Sequence, residues 1–168
     1  MIRDLRLDDI AALESLYPAA FPDEALLPLV RQLTGGRDDV MSLVADTDGD
    51  IVGHAAFTDC SIEGRPEKLA LLGPVAIAPA WQQKGLGGDL IRAGLDRLRG
   101  TGCARVMVLG DPAYYRRFGF AMDTEVSPPH ALPDEWLPAW QSINLIEEPV
   151  VGTLVVPEPW QPRELWLP

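Results

Sequence analysis

Leu71 to Ile91 reads LLGPVAIAPAWQQKGLGGDLI: an apolar run, a proline turn, a glycine-rich loop, then apolar residues at helical spacing. Leu86, Leu90, Ile91, Leu95 and Leu98 fall on one face of that helix, with Asp89, Arg92, Asp96, Arg97 and Arg99 opposite. Gly100 and Gly102 end it, and Arg105 to Leu109 is a short apolar, β-branched run suited to a buried strand. Strand, helix, strand predicts a right-handed crossover with the two strands parallel. Glycines where a loop enters a helix let the backbone approach a bulky anion. The first-turn amides, which lack intrahelical partners, then point at it, and the helix dipole adds to the attraction. Gln82, Gln83 and Lys84 stand just before Gly85, Gly87 and Gly88, where side-chain donors supplement the backbone.

Upstream, Ile2 to Leu7 alternates charged and apolar residues as a strand does, and Asp8 is placed to cap a helix carrying Ile10, Leu13, Leu16 and Tyr17. Pro22 and Asp23 open a second helix with Leu26, Leu27, Val30 and Leu33 on one face, ended by Gly35 and Gly36 and shortened or bent by Pro28. Val40 to Ala45 and Ile51 to Ile62 are strands joined by Thr47, Asp48, Gly49 and Asp50, a strong hairpin signal. A turn at Glu63 to Pro66 leads into the strand from Leu69 to Ile77, so three antiparallel strands follow one another. Pro74 within the last removes a ladder donor and predicts a bulge or an edge beside Gly73.

Downstream, a short helix carries Tyr114, Tyr115, Arg116 and Phe118 before Gly119 breaks it, and Phe120 resumes as strand. Ser127 to Pro149, rich in proline and tryptophan, reads as an irregular packed loop. Val150 to Val156 reads as a last strand, and the tail from Pro157 as extended, without regular structure. The 168 residues fit one domain, with a core over 1–126 and a loop-rich C-terminal part with a final strand over 127–168.

With 47% of residues hydrophobic, the chain has enough apolar surface to bury an interior. The net charge of -11 argues against nucleic-acid binding, which needs a clustered basic face, and favours a cationic acceptor. Charged residues Arg3, Asp4, Arg6, Asp8 and Asp9 interrupt any export signal, and no apolar run is long enough for a bilayer. Cys60 and Cys103 lack disulfide-framework or zinc-site spacing. A cytoplasmic protein without metal or membrane partner is expected.

Gln82, Gly85 and Gly87 match the QxxGxG pyrophosphate loop of the GNAT acetyltransferases, and GPVAIAP resembles that family's fourth strand and following turn. Tyr115, Gly119 and Phe120 resemble the YxxxGF segment that ends the family's catalytic core. The chain is most similar to a group of predicted bacterial N-acetyltransferases, closely through about Phe120 and loosely beyond. The resemblance implies an α/β (α+β) acyl-CoA N-acyltransferase fold, with a mixed, mostly antiparallel sheet, one parallel crossover and helices on both faces. It also implies acetyl-CoA as cosubstrate, with its diphosphate on Gln82, Gln83, Lys84, Gly85, Leu86, Gly87 and Gly88. The pantetheine arm would lie along the backbone of Val75, Ala76 and Ile77. The acceptor would be the primary amine of a small molecule, peptide or protein, and the protein a monomer or homodimer.

Acyl transfer needs a neutral amine, a polarised thioester carbonyl and a proton for the departing thiolate. A tyrosine meets the last need, since its pKa of about 10 lies above the about 8.5 of a thiol. The resemblance assigns that role to Tyr115. Many relatives carry a glutamate on the fourth strand, whereas Leu69 to Ile77 has no acid, so a water chain is the expected base, reachable from Glu24, Asp59 or Glu63. The same gap admits a second function, a CoA-binding regulatory module without turnover. A dinucleotide-binding oxidoreductase rests on glycines alone and fails on order, because three antiparallel strands precede the loop. His54 reads as a satisfied core histidine and Cys60 as a small buried hydrophobe. Trp136, Trp140, Trp160 and Trp166 read as loop anchors before acceptor-pocket walls, and Arg116 and Arg117 as a solvated helix face before a phosphate contact.

Overall fold

The structure, a computed structural model, describes residues 1–167. The chain forms two compact units, one of Met1–Thr58 with Gly73–Asp96, the other of Asp59–Leu72 with the chain from Arg97 onward.

In the first unit, β1 (Ile2–Asp4) lies antiparallel to β2 (Val40–Thr47), with Ile2 opposite Ala45. β2 pairs antiparallel with β3 (Asp50–Ile62) from Val40–Thr58 to Thr47–Asp50. Asp48 and Gly49 turn the hairpin with φ of 51° and 92°, the left-handed pair that matches the twist of the strands. The end of β4 (Lys68–Ile77) belongs here too. Three helices complete the unit: α1 (Ile10–Ala20), α2 (Leu27–Leu33) and most of α3 (Leu86–Leu98).

Neighbouring residues on a strand face opposite ways, and β3 uses both sides. A Cβ on Gly53 would stand 3.1 Å from Leu90 of α3, whereas the next residue, His54, meets Tyr17 of α1 on the other face. Gly94 lets α3 sit against Phe57, where a Cβ would come within 2.1 Å of the ring. Leu13, Leu16, Tyr17, Val30 and Ala76 form the core between α1, α2 and the sheet.

In the second unit, the start of β4 pairs parallel with β5 (Cys103–Leu109), from Lys68–Cys103 to Leu72–Val108. α4 (Pro112–Tyr115) follows, then the short β6 (Ala121–Met122) and β7 (Val126–Ser127). β8 (Trp140–Asn144) pairs antiparallel with both β5 and β6. β9 (Gly152–Val155) pairs parallel with β7 and antiparallel with Ser61 and Ile62 of β3. Trp140, Trp166, Met107, Leu71, Ile62 and Leu154 fill this unit's core.

Several sequence expectations are corrected. Asp8 does not cap α1: residues Leu7–Asp9 form a 3-10 turn, and Asp9 instead binds Arg3 and the Arg6 amide. α2 starts at Leu27 rather than Pro22, because Pro28 is tolerated only in a first turn, where its missing N–H costs nothing. The stretch 127–149 is not all loop. It contains β8, whose five residues are too few to show an alternation against the surrounding prolines. The tail from Pro157 is not simply extended, since Glu158–Trp160 and Arg163–Trp166 form 3-10 turns, Pro157 and Pro162 standing at their N-caps. The last strand is shorter than expected. Among the described residues no helix is long and apolar enough to cross a membrane.

Candidate functional site

The glycine loop joins β4 to α3 within the first unit. Gln83 has φ 61° and Gly85 φ 86°. Left-handed residues in such a turn aim successive N–H groups at one point and make a concavity for an anion. The first backbone bond of the helix runs from Asp89 N–H to Gly85 O at 3.0 Å, so the amides of Leu86, Gly87 and Gly88 precede the helix's own ladder. Gln82, Gln83, Lys84 and Gly85 are exposed, Leu86 is half-buried, and Gly87 and Gly88 are buried. Gln82 turns back on the protein: its amide donates to Ile77 O at 3.1 Å and fastens the loop to the end of β4. Lys84 places its ammonium 5.1 Å from the centroid of the Trp81 ring.

The three β4 residues differ in role. Ala76 is buried in the core against α1 and α2, so only its backbone can serve a ligand. Val75 and Ile77 are half-buried. Ala78 N–H donates to Val52 O at 2.8 Å, holding the strand end on β3. The Gly73–Pro74 peptide is cis, and the β4–β5 ladder has its last pair at Leu72–Val108. Pro74 therefore lies beyond that ladder, and the register shift in it falls at Lys68–Leu69 rather than at the proline.

Tyr115 stands in the second unit. Asp111 caps α4 by accepting the Ala113 N–H at 2.9 Å, and Gly119, with φ 97°, ends the following 3-10 turn. The Tyr115 ring packs edge-on to Tyr114, Phe118 and Phe120 at 5.0, 6.5 and 5.7 Å between centroids. Burial, reinforced by Tyr114, pushes its hydroxyl well above the ordinary tyrosine range, so it remains protonated at neutral pH. Arg117 lies 5.0 Å over the Tyr114 ring, so its guanidinium already has a partner.

His54 is buried and satisfied, as expected. Its Nδ1 lies 2.6 Å from Tyr17 Oη and its Nε2 3.2 Å from Ser42 Oγ, and burial pushes its pKa down to about 4. Cys60 is buried in the second core. Trp140 and Trp166 anchor the C-terminal segments: their indole N–H groups donate to Val126 O at 2.7 Å and Trp160 O at 2.9 Å.

Sequence reading missed one charged network. Arg105, counted as part of an apolar strand, is buried and donates to Asp123 at 2.7 Å, Asn144 at 2.8 Å and Glu125 at 3.0 Å. Burial pushes the Asp123 carboxyl up, but bonds from the Val126 and Glu125 amides, from Ser142 and the Arg105 charge outweigh it, and its pKa is lowered. An arginine heading an otherwise apolar run was the available signal. Among the described residues no His, Cys, Asp or Glu cluster is fit to hold a metal.

The GNAT acetyltransferase family model matches residues 7–120. The N-acetyltransferase YjhQ of Escherichia coli is 37% identical over 118 residues, 67% of this chain and 65% of YjhQ, so the match spans just under two thirds of that relative. YhbS of Escherichia coli is 33% identical over 129 residues, 76% of this chain and 75% of YhbS. The crystal structure of YhbS in complex with CoA superposes with a TM-score of 0.87 at 28% identity, covering 96% of this chain and 92% of YhbS. A GNAT acetyltransferase from Brucella melitensis in complex with acetyl-CoA superposes at 0.77 with 33% identity, covering 95% and 97%.

Proposed function

Because the chain belongs to the GNAT acetyltransferase family and has its fold, we propose that it is an N-acetyltransferase that moves an acetyl group from acetyl-CoA to a primary amine. The observation that carries this reading is the loop of Gln83 and Gly85, both left-handed, ahead of the first turn of α3, whose amides precede the helix's own ladder. The amides from Gln83 to Gly88 hold the diphosphate, with Lys84 adding a cation, while Gln82 braces the loop through Ile77. Backbone groups of Val75, Ala76 and Ile77 receive the pantetheine arm.

In the reaction the amine nitrogen attacks the thioester carbonyl, a C–N bond forms and the C–S bond breaks. The departing thiolate takes the proton of Tyr115. The amine's surplus proton leaves through water, since β4 carries no acid, and is returned from water to the tyrosinate to close the cycle. The net charge of -11 favours a cationic acceptor before it is deprotonated. Calorimetry with acetyl-CoA and an amine screen that reads free thiol test the activity. Tyr115→Phe is expected to lower kcat by about 10²-fold or more with acetyl-CoA affinity kept.

The missing strand acid supports a second reading, a CoA-binding module without turnover. It predicts tight acetyl-CoA binding, no thiol release with any amine, and no effect of Tyr115→Phe.

A further inference from the structure

The first unit contains an open cavity of about 440 Å³ lined by residues 4–7 and 10, by 33, 34, 36 and 37, and by 40–42. None of these residues belongs to the glycine loop or to α4. One wall is apolar, built from Leu5, Ile10, Leu33, Val40 and Met41, and Leu7 stands on its rim 85% exposed. A leucine left in water beside an apolar wall gains by being covered.

Behind the other wall stands a buried relay. Tyr17 is 1% exposed, and His54 Nδ1, at 2.6 Å, is the acceptor beside its hydroxyl. A buried O–H left without an acceptor is costly, so Tyr17 donates to Nδ1 and the imidazole proton resides on Nε2. Nε2–H then donates to Ser42 Oγ at 3.2 Å. The histidine thereby occupies a lone pair of the serine oxygen and leaves the seryl hydrogen to serve as donor toward the cavity that Ser42 lines. The backbone carbonyl of Ser42 is engaged by Leu5 N–H at 3.0 Å, which closes the wall.

The charges on the lining are unequal in availability. Arg37 is matched by Asp39 through two bonds of 2.9 Å. Thr34 spends its hydroxyl proton on Val30 O at 2.7 Å. Arg6 lines the cavity from an exposed position, and Asp4 on the same rim repels a multiply charged anion. The donors offered are therefore one oriented hydroxyl and one guanidinium, beside an apolar wall.

We propose that this cavity binds a small monocarboxylate with an apolar body, its carboxylate held by the Ser42 hydroxyl and the Arg6 guanidinium and its body covered by Leu7. A cavity of this size suits a compact organic acid. The site is independent of the acetyl-CoA reading, and its failure would leave that reading untouched.

The test uses 4-phenylbutyrate with two isosteres, 4-phenylbutanol and 4-phenylbutylamine, read by calorimetry and by amide chemical shifts of the isotope-labelled protein. The expected result is saturable binding of the carboxylate, with shifts centred on Leu7, Thr34 and Ser42 and no response to the amine. Arg6→Gln, at an exposed position, should weaken binding by about tenfold, as loss of a bond to a charged group does. Ser42→Ala should weaken it comparably and Ser42→Thr should retain it. Equal binding of acid and amine, shifts confined to residues 82–88, or affinity unchanged in Arg6→Gln would overturn the proposal, as would absence of any saturable response.

Discussion

A Cβ built on Gly110 would lie 2.4 Å from Cε2 of Tyr115, so the tyrosine ring is seated against a bare α-carbon. Gly110 is itself fixed at both ends, its N–H donating to Ala139 O at 3.0 Å and its carbonyl accepting from the Gln141 side chain at 3.0 Å. Gly110→Ala therefore cannot relax by moving backbone and must displace the ring. Under the proposed mechanism kcat falls by about tenfold or more while the KM for acetyl-CoA changes little, because misplacing a reacting group affects the chemical step. Steady-state kinetics checks this, and an unchanged kcat would show that the ring position is not needed.

Gly94→Ala should destabilise the protein even though alanine is the better helix former. The added methyl would stand 2.1 Å from the Phe57 ring. Overpacking of this kind costs about 1–3 kcal/mol, against about 1 kcal/mol gained in helix propensity. Urea unfolding should show a lowered midpoint, partly recovered when Phe57→Leu makes room.

Acid should weaken the fold before its carboxylates titrate. His54 has a folded pKa of about 4 against 6.5 when unfolded. Between those values the unfolded chain holds a proton that the folded chain does not, so stability is full above 6.5 and falls as pH drops toward 4. The loss amounts to about 3 kcal/mol by linkage. The depressed carboxyls of Asp9, Asp46 and Asp123 add their own losses only lower, as pH passes below the ordinary Asp value and through their folded values. Unfolding curves at successive pH values should therefore show a slope from 6.5 to 4 that is smaller in His54→Gln.

Arg105→Met should cost about 3–5 kcal/mol, since it strands the Asp123 charge in the interior. Adding Asp123→Asn should restore part of the loss, because the uncompensated charge is then gone. Denaturant midpoints of the two variants decide it, and a double variant no better than the single would mean that packing, not charge, sets the cost.

What the sequence made legible was periodic or punctuated. The hairpin at Asp48–Gly49, the helix from Leu86 to Leu98 and the glycine loop each carry a local signal, a left-handed turn or an unbroken apolar stripe. Local signals fail where long-range pairing decides. Trp140–Asn144 is a strand because Arg105–Leu109 and Ala121–Met122 lie on either side of it. Asp8 does not take the cap expected of it because Leu7–Asp9 close into a 3-10 turn, whose Asp9 is held by the Arg3 guanidinium at 2.7 and 2.9 Å. The Ser42–His54–Tyr17 relay joins residues 37 and 12 positions apart, and only the final fold brings them together.

The lysine resting on Trp81 gives the glycine loop its own optical reporter. Of the five tryptophans, Trp136, Trp140, Trp160 and Trp166 lie in the second unit and Trp81 alone in the first. With the Lys84 ammonium 5.1 Å from the Trp81 ring centroid, an anion that draws Lys84 away is expected to change the colour and yield of the indole's emission. Fluorescence lost in Trp81→Phe thus isolates events at this turn from everything the other four indoles contribute.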